Sequence, residues 1–95
     1  MVPIVENWAY VTGRVLEMHR ATEFQGYTRV RLYVERAEDD GRFPNLLKEF
    51  EGRELPVWLP DAATVSLTPG SRWRWRLRRA TLERTFADPT RLTPL

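Results

Sequence analysis

The stretch SRWRWRLRR, residues 71–79, sets Arg72, Arg74, Arg76 and Arg78 in strict alternation with Trp73, Trp75 and Leu77. Fourteen of the chain's fifteen basic residues are arginines, and Lys48 is the single lysine. A guanidinium is planar, always charged, and shaped to grip a phosphate or lie on an aromatic ring. On a β-strand, alternate residues stand about 6.5–7 Å apart on one face. Such a row has the spacing to follow a phosphate backbone, with an affinity that falls as salt is added. The same alternation also describes any strand with one face in water, and a preference for arginine over lysine can reflect genome composition.

Other chemistry is poorly supplied. His19 is the only histidine, and its flanking residues offer it no acid. Glu38, Asp39 and Asp40 are adjacent, but they lack the spacing of a calcium loop and read as a solvated turn. Ser66 and Ser71 have no base nearby in sequence. No glycine-rich phosphate loop, nucleophile elbow or dinucleotide fingerprint is present. Without cysteine, disulfides, thiolate zinc sites and thiol nucleophiles are excluded. The expectation is a non-enzymatic protein with no cofactor and no metal. No apolar run approaches the roughly 20 residues that cross a bilayer. The N-terminus MVPIVENWAY does not have the pattern of a signal peptide, so a cytoplasmic location is expected.

Charge is unevenly spread. Residues 35–54 hold seven acids and four bases, whereas residues 71–84 hold six arginines and one acid. A net charge of +2 conceals an acidic middle and a basic late segment.

These side chains must be positioned by strands. Residues 8–20 read as a long strand with Val11, Gly13 and Val15 on one face; the apolar parity then switches to Leu16 and Met18, which predicts a bulge or bend beside Gly13. Residues 27–36 alternate cleanly, with Val30, Leu32 and Val34 inward and Arg29, Arg31 and Tyr33 outward. Residues 44–52, PNLLKEFEG, predict a short helix opened by Pro44 and ended by Gly52. Residues 54–60 predict a strand with Leu55, Val57 and Leu59 inward, while Pro56 and Pro60 make it an edge or an interrupted strand. A connector over 61–70 contains at most a helical turn. Residues 71–82 form the last long strand, with a second bulge expected after Arg79. Residues 83–89 suggest a short closing strand, and the tail from about 89 reads as loose.

The fold expected is mainly β: one domain over 1–95, a small five-stranded barrel with one short helix, the alternatives being an SH3-like barrel or an open α+β sheet. The run VTGRVLE, a second strand, and a connector ending LTPGSRWRWRLRRA resemble the OB-fold superfamily over roughly residues 8–88. Its members often open with a strand bent at a glycine and enter the fourth strand through a leucine–proline–glycine turn. The resemblance implies a five-stranded Greek-key barrel of the nucleic-acid-binding type. Its usual helix lies between strands three and four, so residues 61–67 would be a reduced copy and 44–52 an insertion.

Small barrels that hold single strands join a basic groove to aromatic platforms. The outward parity here offers Arg14, Arg29, Arg31, Tyr33, Trp58, Arg72, Arg74, Arg76 and Arg78 as candidate nucleic-acid-binding residues, with Tyr10 as a further ring. Trp58 and Tyr33 stand opposite the apolar parity, so each needs a ligand, a partner or some intramolecular cover. The partner expected is single-stranded DNA or RNA. The alternative is a protein–protein module, possibly a homodimer joined through the Trp58 face. The arginines have a competing use as well, in cross-strand pairs with Glu17, Glu35, Glu54 or Glu83.

Overall fold

The computed structural model describes residues 5–95; the first four residues of the N-terminal stretch read above lie outside it. Five strands form in chain order: β1 (Ala9–Arg20), β2 (Tyr27–Asp39), β3 (Glu54–Pro60), β4 (Arg72–Arg79) and β5 (Thr85–Pro94). They close into a ring in the order β1-β2-β3-β5-β4, with β4 returning to β1. Every neighbouring pair is antiparallel except β3 and β5, which run parallel and meet at a single bridge, Trp58 to Phe86.

Alternation explains the core. Val11 and Val15 of β1, Val30, Leu32 and Val34 of β2, Leu55, Val57 and Leu59 of β3, and Trp75 and Leu77 of β4 are all buried, and Trp73 nearly so. These inward rows meet inside the ring, where burial of apolar surface drives closure. No helix in the described residues is long and apolar enough to cross a membrane.

The bend near Gly13 is where expected. The β1–β2 register shifts between Thr12 and Gly13 and again between Val15 and Glu17. The first half of β1 therefore pairs with β2 on one edge and with β4 on the other, from Ala9–Leu77 to Arg14–Arg72. Glycine is required at the bend by space, since a β-carbon on Gly13 would lie 2.8 Å from Leu32 Cδ1 and 3.0 Å from the Tyr33 carbonyl oxygen.

Four expectations need correction. Residues 44–52 make one 3-10 turn, Lys48–Phe50, in place of a helix. So short a segment gains little from helix propagation, and β2 holds it in another shape: Asn45 donates to the Ala37 carbonyl and Gly52 N–H donates to the Val34 carbonyl at 2.7 Å. Leu47 of this segment is nevertheless buried. Second, β4 stops at Arg79 and turns through a bond from Ala80 N–H to the Arg84 carbonyl, while the late register shift falls earlier, between Trp75 and Leu77. Third, the tail is not loose. It continues β5, and Leu92, Thr93 and Pro94 pair with Trp75, Arg74 and Trp73. The connector over 61–70 does contain its helical turn, a 3-10 turn at Asp61–Thr64. Fourth, contrary to what its prolines suggested, β3 is neither interrupted nor an open edge: it runs unbroken against β2 and lies between β2 and β5 in the closed ring, though it meets β5 at a single bridge.

Two outcomes follow for stability. Gly13→Ala should overpack the bend and cost roughly 1–3 kcal/mol, lowering the thermal midpoint by several degrees; an unchanged midpoint would mean that Leu32 yields freely. Truncation after Pro89 should lower the midpoint and blunt the unfolding transition, because it strips the partners of Trp73, Arg74 and Trp75. A truncated chain that melts like the full one would show those pairs to be dispensable.

Candidate nucleic-acid interface

The nine candidate residues do not form one surface. Ring closure puts Arg29 and Arg31 beside the second half of β1, opposite His19 and Glu17, while Arg72, Arg74 and Arg76 lie beside its first half, opposite Arg14, Thr12 and Tyr10. The two groups therefore occupy different stretches of the outer wall.

On β2, Arg31 is spent. Its guanidinium donates to Glu54 at 2.7 Å and to Glu17 at 2.9 Å. Glu17 also lies 2.8 Å from His19 Nε2, so the histidine has an acid partner that its immediate flanks did not reveal. Arg29 is exposed and lies opposite Trp58 in the β2–β3 register. Tyr33 is 38% exposed and remains open.

Of the ligand, partner or intramolecular cover expected for Trp58, the structure supplies the intramolecular one, which leaves no open stacking platform there. Trp58 is only 4% exposed. Phe24, from the β1–β2 turn, and Phe86, from β5, lie 6.4 and 6.3 Å from its ring, and Arg84 sits 5.0 Å from its centroid. With Tyr27 added, the rings form a quartet over the β3–β5 seam. The indole Nε1 has no partner at hydrogen-bond geometry among the described residues, although Trp58, after the backbone N–H of Glu23 itself, helps to lower the pKa of Glu23. The cover is intramolecular.

The β4 row divides in two. Arg72 donates from Nε and Nη2 to both carboxylate oxygens of Glu35, at 3.0 and 2.8 Å. That hydrogen bonding holds the Glu35 carboxyl below the usual carboxylate range. Arg76 is half-buried and clamped: Asp40 accepts from its Nε at 2.7 Å, Asp88 from its Nη1 at 3.2 Å, and its guanidinium carbon lies 3.8 Å from the Trp8 ring centroid. Burial disfavours the Arg76 charge, and the two carboxylates more than offset this. Asp88 is in turn held below its ordinary value by the Thr90 hydroxyl, then by the Thr90 N–H and Arg76. Arg76 is thus a structural cation, contrary to its expected place in a binding row. Glu83 forms no such pair among the described residues.

Arg74 and Arg78 differ. Neither has a carboxylate within ion-pair distance among the described residues. Arg74 lies 4.5 Å from the Tyr10 ring, and Arg78 lies 5.8 Å from Trp8. Arg74 and Tyr10 open on a cleft of about 410 Å³ shared with Thr90, Arg91 and Thr93. Arg14 is exposed beside Arg72 and donates only to the Gly70 carbonyl, at 2.9 Å, among the described residues. The outer wall of β1, β4 and β5 therefore presents Arg74 and Arg91 beside Tyr10 with no carboxylate at ion-pair distance among the described residues, and with Thr90 and Thr93 as neutral donors; Arg14 stands further along β1, where its charge, after Arg72, helps to lower the Glu35 pKa. Arg91 was missed because it lies in the tail read as loose. Trp8 was missed as well, although it shares outward parity with Tyr10, Thr12 and Arg14 and could have been found that way.

The lowered Glu35 and Asp88 pKa values carry a pH signature. A depressed carboxyl adds stability that is present above the unfolded value and is lost as pH falls through the folded one. Urea melts between pH 6 and pH 3 should show a midpoint that falls on acidification, with a shallower fall in Glu35→Gln and Asp88→Asn. An identical slope in both variants would show that these pairs do not contribute.

No family model matches the chain, and no similar curated protein or solved structure was found for it.

Proposed function

We propose that this protein is a non-enzymatic, cytoplasmic domain of the OB type that binds single-stranded nucleic acid on the outer wall of β1, β4 and β5. The strand order β1-β2-β3-β5-β4, with one parallel contact between β3 and β5, supports the OB assignment, because a five-stranded Greek-key barrel has this kind of closure. The observation that carries the functional reading is the Arg74 cleft. Arg74 keeps its charge free of any carboxylate among the described residues, stands over Tyr10, and shares about 410 Å³ with Arg91 and two threonines. A tyrosine ring supplies stacking worth about 1–3 kcal/mol per base, and arginines on both sides supply phosphate contacts.

The test is fluorescence polarisation on labelled single-stranded DNA and RNA across a salt series. Arg76 must be left intact in the control, because removing it would strand Asp40 and Asp88. Arg74→Glu/Arg91→Glu should weaken binding at least tenfold and reduce the log–log salt slope by about 0.7 for each phosphate that is no longer neutralised. Arg20→Glu, at the far end of β1, should leave binding near wild type. Absence of binding at low salt would reduce the row to a solvated strand face.

A further inference from the structure

Trp8, which precedes β1, is fixed by a lock that imitates strand pairing. The neighbouring Asn7 is 2% exposed; its Nδ2 donates to the Arg79 carbonyl at 2.9 Å, and its Oδ1 accepts from the Arg79 N–H at 2.8 Å. This side chain extends the β1–β4 ladder by one step and holds Trp8 against the end of β4. Trp8 and Arg78 together wall two adjoining clefts. One, of about 480 Å³, runs past Glu6, Asn7 and Ala80. The other, of about 390 Å³, is lined by Tyr27, Phe86 and Asp88 and rimmed by Pro60 and Pro89.

The second cleft has an unusual balance. Three half-buried rings, Trp8, Tyr27 and Phe86, face into it, and Phe86 is held by the aromatic quartet. Its one acid is already engaged: Asp88 Oδ2 is taken by Arg76, and Oδ1 by the Thr90 hydroxyl and N–H. Arg78 is left as a cation with no carboxylate in reach among the described residues. Flat apolar walls with one free guanidinium suit a planar group that carries an anion. The volume lies within the range of small-ligand pockets, about 300–1,000 Å³. Arg78 also shares the outward face of β4 with Arg74, about 13–14 Å further along the strand. A single strand that meets Arg74 first would pass the committed Arg76 and arrive here.

We propose that this cleft is a nucleotide site, with the base packed against Trp8 and Phe86 and the phosphate held by Arg78. The identity of the ligand rests on the nucleic-acid reading above, but the residues are distinct from the Arg74 cleft. A proline-rich peptide would also fit between aromatic walls, but it has no need of the free guanidinium, which favours the anion.

The experiment is a titration of the isotope-labelled full chain, followed by NMR at the Trp8 indole N–H, the Arg78 Nε–H and the Phe86 amide. The probes are 5′-AMP, adenosine and inorganic phosphate, each alone. Saturable shifts at all three positions with 5′-AMP are expected, with about tenfold weaker binding in Arg78→Ala and weaker binding of adenosine. Inorganic phosphate alone should not move Trp8. Arg74→Glu/Arg91→Glu should lose oligonucleotide binding yet keep the 5′-AMP shifts, so the two sites fail separately. Millimolar 5′-AMP that leaves Trp8 and Arg78 unmoved would overturn the site even if oligonucleotides bind elsewhere. So would a proline-rich peptide that moves these signals where 5′-AMP does not.

Discussion

A five-stranded ring can close only if each strand keeps a neighbour on both edges, and in this protein β1 carries most of that demand. It pairs with β2 along nearly its whole length and with β4 along its first half. A straight strand could not turn from one course to the other. The bend at Gly13 allows the turn because nothing larger than hydrogen fits between that backbone and Leu32. Where β1 bends, the outer wall divides as well. Arg29 and Arg31 of β2 fall beside one half of the strand and Arg72, Arg74 and Arg76 of β4 beside the other, and a row that looks continuous on paper becomes two surfaces.

Electrostatics then decides which arginines remain available. Alternation placed Arg72, Arg74, Arg76 and Arg78 of β4 outside the core, but the partners of Arg72 and Arg76 come from remote chain segments: Glu35 from β2, Asp40 from the turn after it, and Asp88 from β5. The acidic middle of the chain is thus partly a set of counter-charges for the basic late strand. Arg76 shows how far this goes, with two carboxylates and an indole ring around one guanidinium. Exposed pairs such as Arg31 with Glu17 and Glu54 stabilise little in water, yet they withdraw charge from any field that a ligand would feel. On the wall of β1, β4 and β5, what remains includes Arg74 and Arg91 beside Tyr10 and Arg78 beside Trp8.

The strands with clean period-2 patterns, β2, β3 and β4, were legible from residue order alone, as was the bend in β1. β5 was not. TFADPTRLTP has Pro89 and Pro94 and little apolar alternation, and it is held as a strand by β4, a partner that no local pattern announces. The apparent helix failed for a related reason. Leu46, Leu47 and Phe50 have helical spacing, but Asn45, Gly52 and the backbone of β2 fix the segment in another shape. For Trp58, parity correctly pointed outward and implied a cover. The identity of that cover depended on Phe24, Phe86 and Arg84, which come from three separate parts of the chain.

The seam between β3 and β5 sets this barrel apart from a uniformly laddered one. A single bridge joins the two strands, and two prolines on β3 cannot donate. Across most of that seam the ring is fastened by the packing of Phe24, Tyr27, Trp58 and Phe86. Apolar attachment weakens on cooling, and denaturant acts on this packing and on the ladders alike, because it solvates apolar and peptide groups together. The barrel is therefore mechanically uneven, with a clasp on one side and four stitched edges elsewhere. Since Phe86 belongs both to the clasp and to the wall of the Trp8 cleft, whatever packs against it from outside also bears on how firmly the clasp is shut.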